Sequence, residues 1–222
     1  MNGIKGLIIK DILQLKSYKK TLIIFIVIFI LSSLSAEGEV SNTLIIMLTL
    51  CFGMFSIASF NYDELNKADK YILTLPITKK DIVLSKYILV IGSTVIGSII
   101  GILLGFILSF VFNKQMPDIV EFLSIGLGGI LGVGIIESIQ LPCIYKWGAE
   151  KGRVQMMIVT ALIALIVGGV IYIGGKSNIQ FQANNVIDML CNFLPLIFIV
   201  VMVVMYYISY KVAYKIYDKK EQ

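Results

Sequence analysis

Glu137 and Gln140 are the polar side chains best placed to do chemistry inside an apolar stretch of this sequence, where they lie one helical turn apart. Glu121 lies near the other end of the same stretch. A carboxylate in hydrocarbon is costly and should face protein, water or a partner charge. Glu137 could therefore belong to a substrate or ion pathway. It could equally be a hydrogen-bonded structural group near Lys146, which is roughly two turns away.

Other catalytic and metal-binding chemistry is poorly represented. The chain has no histidine, no pair of carboxylates within one or two turns inside an apolar segment, and no G-x-x-x-x-G-K-[ST] run. Cys51, Cys143 and Cys191 are odd in number and lack metal-ligand spacing. We therefore expect no catalytic site, no metal and no cofactor in this chain. If ATP is used, another polypeptide must bind it.

The elements that position these residues must be membrane helices. Hydrophobic residues make up 58% of the 222 positions and charged residues only 15%, which is too little polar surface to cover a protein in water. The net charge of +5 comes from short basic clusters beside apolar segments, so lipid is the expected partner and nucleic acid is not.

Apolar segments close to the length that crosses hydrocarbon predict six transmembrane helices in an all-α fold. Of the 19 basic residues, all but Lys114 and Lys176 fall on one side of the membrane when six spans are drawn. The positive-inside rule then places both termini in the cytoplasm of a multi-pass protein of the inner (cytoplasmic) membrane. The predicted spans are 21–35, 43–60, 87–112, 119–144, 154–174 and 189–210.

Residues 1–20 precede the first span and predict an amphipathic helix lying in the cytoplasmic interface. Its apolar positions recur at three- and four-residue steps, and Lys5, Lys16 and Lys19 fall away from that stripe. The alternative is an ordinary positively charged flank. The apolar positions are Ile4, Leu7, Ile8, Ile12, Leu15 and Tyr18. The six-helix domain then covers 21–210, and 211–222 is a cytoplasmic tail.

The loop at 61–86 is long for a simple connection and predicts an element that docks a partner. A short helix is expected to begin with acidic residues in its first turn, to carry Leu65, Ala68 and Ile72 on one face, and to stop before Pro76. Thr78 and Asp81 then form a capping box for the third span. The alternative is that this loop merely joins two spans.

Small residues recur every four positions in the third and fourth spans, a spacing that lets helices approach closely in lipid. Helix packing, within the chain or between two copies, is the default interpretation, and a glycine-lined pathway is the alternative. The residues are Ser93, Gly97, Gly101, Gly105 and Ser109 in the third span, and Gly128 and Gly132 in the fourth.

The loop resembles the first cytoplasmic loop of ABC type-2 exporter permeases, through Tyr62, Asp63, Glu64 and the run 71–87. The Lys10-Asp11 pair before the first span is similar too. This resemblance implies an N-terminal elbow helix, a coupling helix in the loop, and a dimer of identical or related permeases. Two separate ATPase subunits would bind ATP and magnesium. The implied coupling residues are Asp63, Glu64, Lys67, Asp69, Lys70, Tyr71, Leu73, Leu75 and Pro76.

Among such permeases, the chain is most similar to the small permeases of exporters for phenol-soluble modulins, which are amphipathic peptides. An ATP-driven exporter of an amphipathic or hydrophobic substrate is the leading hypothesis. Two alternatives stay open: an immunity or sensory protein that sequesters a toxic peptide without turnover, and an ion-coupled carrier that uses Glu137.

Overall fold

The computed structural model describes residues 2–34, 40–72, 74, 76–113, 119–151, 154, 158, 161–162, 165 and 185–220. These residues form helices and turns without a strand, which confirms the all-α prediction for this part of the chain. The helices are α1 (Asn2–Leu15), α2 (Lys19–Leu34), α3 (Val40–Leu65), α4 (Ala68–Ile72), α5 (Lys79–Asn113), α6 (Ile119–Trp147) and α7 (Asn185–Lys220). A single 3-10 turn, Lys16–Tyr18, joins α1 to α2.

Four of the described helices are long and apolar enough to cross a membrane: Asn42–Leu65, Lys79–Val111, Ile119–Trp147 and Leu196–Lys219. They coincide with the predicted second, third, fourth and sixth spans. The predicted first span falls on α2, which is 16 residues long, and most of the predicted fifth span lies outside the described residues. The chain is therefore a helical membrane protein, and the count of six spans stays a prediction.

Helix α1 has one buried face and one exposed apolar face. Leu7 and Asp11 are buried against α3 and α5, whereas Ile9, Ile12 and Leu13 are each more than half exposed. One face therefore packs on the helix bundle, and the other presents apolar side chains as a helix in a membrane interface does.

Helices α3 and α5 approach each other closely at two glycines. A Cβ atom placed on Gly101 would lie 3.0 Å from the Cα of Ile45, and one on Gly97 would collide with Phe52. The predicted small-residue stripe of the third span therefore packs within this chain, at least at these two positions. Gly128 and Gly132 in α6 have open space around them instead.

We expect Gly101→Ala to lower the free energy of unfolding by about 1–2 kcal/mol, because the backbone of α3 would have to move away. Gly132→Ala is the matched control, since nothing lies within 4 Å of the added carbon, and its stability should change by less than about 1 kcal/mol. Equilibrium unfolding in mixed micelles measures both. Equal losses in the two variants would contradict the close α3–α5 packing.

The loop predicted at 61–86 differs from its prediction. Helix α3 continues through Leu65, so Asp63 and Glu64 belong to its last turn and do not start a separate helix. Lys67 then adopts a left-handed conformation with a φ of 50°, and only the five residues of α4 follow. Because this turn breaks the helical register, Leu65 is exposed while Ile72 is buried. The expectation that the two share one face is wrong.

The cap of the next helix is confirmed. The Thr78 hydroxyl accepts a hydrogen bond from the backbone N–H of Asp81 at 3.3 Å and donates one to the Asp81 carboxylate at 2.8 Å. Helix α5 begins at the following residue, Lys79, so Thr78 is its N-cap. The Asp81 carboxylate bonds to the Thr78 hydroxyl, where a full capping box would bond to the Thr78 backbone N–H.

The predicted tail at 211–222 continues α7 as far as Lys220. Ala213 and Tyr217 are buried on it, and Lys79 pairs with Asp218 at 3.2 Å. The end of α7 therefore packs against the start of α5.

Candidate functional site

Four charged side chains from three helices form a compact group, which we call the charge cluster: Lys10 and Asp11 of α1, Asp63 of α3 and Lys86 of α5. The Lys10 ammonium lies 2.7 Å from Asp63 and 3.2 Å from Asp11. The Lys86 ammonium lies 2.9 Å from Asp11 and 2.5 Å from Asp63. The cluster therefore ties α1 and the end of α3 to the start of α5.

The cluster is buried and carries two positive and two negative charges. Asp11 is 1% exposed, and a charge that far from water is tolerated only when it is paired and hydrogen bonded. The Ser59 hydroxyl accepts a further hydrogen bond from Lys86 at 3.1 Å, and the Phe60 ring lies 4.9 Å from the same ammonium. Gln14 donates to Asp63 at 3.2 Å.

Lys10 is the more exposed cation of the cluster. Burial acts to lower the pKa of its ammonium group, but hydrogen bonding to Asp63 and the charges of Asp11 and Asp63 outweigh it and raise that pKa above its ordinary value. Lys10 therefore stays charged at neutral pH, which keeps the cluster balanced.

A cavity of about 220 Å³ adjoins the cluster, and Ile72 of α4 forms part of its wall. Leu7 of α1, Ile82 of α5 and Tyr145 of α6 line the same cavity. Ile72 thus connects the short loop helix to the hydrophobic core that surrounds the charges. Helix α4 thus shares the wall of this cavity with α1, α5 and α6.

Glu64 joins the end of α3 to the segment that follows α6. Its carboxylate accepts a hydrogen bond from the backbone N–H of Ala149 at 2.7 Å. The preceding residue, Gly148, has a φ of +89°, and a Cβ atom there would lie 2.7 Å from a Glu64 carboxylate oxygen. This contact therefore needs glycine at position 148.

The structure separates the implied coupling residues into two sets. Asp63 and Glu64 bond within the chain, as described above. Tyr71 is 74% exposed, and Lys67 and Pro76 are exposed as well. Leu73 and Leu75 lie outside the described residues, as do the side chains of Asp69 and Lys70.

Lys86 enters the sequence prediction only as one of the basic residues on one side of the membrane, and its part in the charge cluster was not predicted. Lys86 lies beyond the first turn of a long apolar helix, where a lysine that cannot reach water needs an acid. That signal, together with the acidic Asp63 at the end of another apolar helix, could have suggested the pairing.

Glu137 is 1% exposed and joins α6 to two other helices. One carboxylate oxygen lies 2.8 Å from the Thr94 hydroxyl of α5, and the other accepts a hydrogen bond from the Tyr206 hydroxyl of α7 at 2.8 Å. Gly53 of α3 lies against the carboxylate, where a Cβ atom would collide with it. No ion pair involves Glu137 in the part of the chain described.

Gln140, one turn further along α6, behaves differently. It is 4% exposed, and neither its amide nitrogen nor its amide oxygen has a hydrogen-bond partner. The two residues that the sequence grouped as a candidate pathway therefore have distinct surroundings. Glu137 lies inside the helix bundle, and Gln140 lines a cleft between α2, α3 and α6.

Residues 6–218 match the sequence pattern of a family described as "ABC-2 family transporter protein". Comparison with curated proteins and with solved structures gave no match. The family match includes most of α1 and α7 and the whole loop at 61–86, and with them every residue of the charge cluster. This chain therefore belongs to the ABC-2 family of transporter proteins.

Proposed function

We propose that the chain is the permease subunit of an ATP-driven exporter in the inner membrane. It has six spans with both termini in the cytoplasm, and a second identical or related permease is its partner. A separate ABC ATPase would bind ATP and magnesium. The observation that carries this proposal is the division of α4 between an exposed Tyr71 and a buried Ile72.

Tyr71 and Leu65 present apolar surface on the loop, since they are 74% and 80% exposed. Large exposed aromatic side chains are typical anchors in protein interfaces. We assign the ATPase contact to this surface, with the neighbouring Lys67 at its edge.

Ile72 provides the inward half of the coupling. It packs among side chains of the core that also holds Leu7, Ile82 and Tyr145, and the charge cluster beside it ties α1, α3 and α5 together. A push on Tyr71 would thus be passed to several membrane helices at once, as a rigid-body movement rather than a local distortion.

The cargo we propose is an amphipathic or hydrophobic molecule, in keeping with the resemblance to exporters of amphipathic peptides. The apolar side chains on α2 and on the 196–204 part of α7 are largely exposed. Such surfaces allow a molecule dissolved in lipid to reach the protein sideways, without first crossing water.

We expect Tyr71→Asp to reduce capture of the proposed ABC ATPase at least tenfold, because a charge would replace the central apolar anchor. The measurement is copurification of the two subunits after coexpression, followed by ATP-dependent efflux from vesicles.

Tyr71→Phe is the matched control, since it keeps the ring, and it should bind and transport close to wild type. Wild-type chain that captures no ATPase, or Tyr71→Asp that captures as much as wild type, would refute the coupling surface. Efflux that needs ATP also separates export from simple sequestration of a peptide.

A further inference from the structure

An apolar cleft of about 770 Å³ runs between α2, α3 and α6. Thr21, Phe25 and Phe29 line it at four-residue steps along α2, and Met47 and Met54 line it from α3. Its volume falls in the range of small-molecule sites, which are mostly apolar with a few polar groups. Methionine side chains adapt to ligands of different shape.

Gln140 supplies polar groups to this cleft. Two contacts between α6 and α3 give the position of Gln140 along the cleft. Glu137 lies against Gly53, and Tyr145 packs on Phe60 at 5.6 Å between ring centroids. Gln140 therefore lies beside the part of α3 between Gly53 and Phe60. Its amide has a free donor and a free acceptor, and leaving such groups buried without partners is unfavourable.

Tyr18 lies at the same end of the cleft, because its ring packs on Phe55 at 5.6 Å, and it lines the cleft together with Thr21. Lys19 and Lys20 lie between Tyr18 and Thr21 in the chain; both are exposed, and neither is among the residues that line the cleft. Hydrogen-bonding groups therefore line this end of the cleft, and two lysines lie at the same level of the chain, outside the lining.

The other end is apolar. Phe29 on α2 and Met47 and Leu50 on α3 line it, and they lie further along both helices from Tyr18. The cleft is thus itself amphipathic along its length, with a polar end that faces the side of the charge cluster.

We propose that this cleft binds one single-chain anionic amphiphile from the adjacent leaflet. Its hydrocarbon chain lies along Phe25, Phe29 and Met47, its polar group hydrogen bonds to the Gln140 amide, and its charge lies beside Lys19 and Lys20. A helical peptide is the less suitable occupant, because one α-helical turn with side chains occupies roughly 400–600 Å³. The cleft would hold fewer than two turns.

Binding does not depend on transport. The additional role of the bound amphiphile as cargo rests on the proposed function. In the proposed topology the polar end of the cleft faces the cytoplasm, so the amphiphile would be drawn from the cytoplasmic leaflet.

The test uses the full chain in phosphatidylcholine nanodiscs, without an ATPase, and a photoactivatable palmitate as the probe. We expect saturable labelling that excess palmitate abolishes, with the label on peptides of α2, α3 and α6. Gln140→Leu should weaken the apparent affinity about threefold to tenfold, as loss of a hydrogen bond predicts. Lys19→Gln with Lys20→Gln should weaken it at least about fivefold.

Ala58→Trp, which fills the cleft from α3, should abolish saturable labelling. Ile99→Trp is the matched control, because Ile99 is an exposed side chain of α5 that does not line the cleft, and it should label like wild type. Gel filtration establishes that each variant is folded.

Equal labelling of Ala58→Trp and Ile99→Trp would overturn the site, and so would displacement of the probe by an amphipathic helical peptide but not by palmitate. Saturable palmitate binding in a chain that captures no ATPase would leave this inference standing and refute the proposed function. Capture of the ATPase by a chain without saturable palmitate binding would refute this inference and leave the proposed function standing.

Discussion

Replacing Lys86 with methionine is expected to lower the free energy of unfolding by about 3–5 kcal/mol, because it leaves two buried carboxylates facing only one cation. Lys86 bonds to Asp11, Asp63 and Ser59, and it is itself buried. Methionine is of similar length, so the loss would come from charge and not from an empty space. Equilibrium unfolding in mixed micelles measures the change.

Lys79→Met is the matched control for this prediction. Lys79 also pairs with an aspartate, Asp218 at 3.2 Å, but both side chains are about a third exposed or more. An ion pair in contact with water contributes at most about 1 kcal/mol. Similar losses in Lys79→Met and Lys86→Met would contradict the importance of burial in the charge cluster.

A second change distinguishes charge balance from simple loss of a contact. Lys86→Met combined with Asp63→Asn leaves Lys10 and Asp11, which still form a neutral pair at 3.2 Å. The double variant should therefore be less destabilised than the sum of the two single variants. Additive losses would mean that the four charges do not act as a unit.

The same cluster shows what could not be predicted from the sequence. Lys86 is separated from Asp11 by 75 positions, and Lys10 from Asp63 by 53, so no local spacing connects them. The sequence indicates only that each charge lies at the edge of an apolar helix. Which acid meets which lysine depends on how α1, α3 and α5 pack.

Features that depend on short-range patterns in the sequence were predicted correctly. Thr78 and Asp81 lie three residues apart and make the predicted cap, because a capping box is a short-range interaction that needs no tertiary contact. The long apolar runs likewise predicted the helices that now form α3, α5, α6 and α7, since a membrane helix is specified by its own length and hydropathy.

The turn at Lys67 was not predictable in the same way. A left-handed conformation is usual for glycine and asparagine and uncommon for lysine. Here it lies next to Asn66, whose N–H bonds to the Tyr62 carbonyl at 3.0 Å. The sequence therefore indicated a continuous short helix, and the register of Leu65 relative to Ile72 was wrong as a result.

The small-residue stripes also show the limit of spacing alone. Gly101 and Gly132 occur in the same four-residue rhythm, but only Gly101 meets another helix within the described chain. Spacing predicts that a face permits close approach. It does not identify the helix that approaches, whether from this chain or from a second permease.

The role of Glu137 can be tested by substitution, since the sequence left open whether this residue is structural or part of an ion pathway. We expect Glu137→Gln to change stability by less than about 1 kcal/mol, because an amide can keep the contacts with Thr94 and Tyr206. Glu137→Leu should lower stability by about 2–3 kcal/mol, because it leaves the buried Tyr206 hydroxyl without its acceptor. Thr94 is affected less, since its hydroxyl also lies 2.9 Å from the Val90 carbonyl.

Tyr206→Phe in the Glu137→Leu background is the decisive comparison. It removes the stranded hydroxyl, so it should restore part of the lost stability, whereas a purely steric effect of leucine would not be relieved. Vesicle transport then assigns the role of the carboxyl group. An ATP-driven permease with a structural Glu137 should retain efflux in Glu137→Gln and lose it when ATP is depleted. An ion-coupled carrier should lose efflux in Glu137→Gln and retain it without ATP at a held proton gradient.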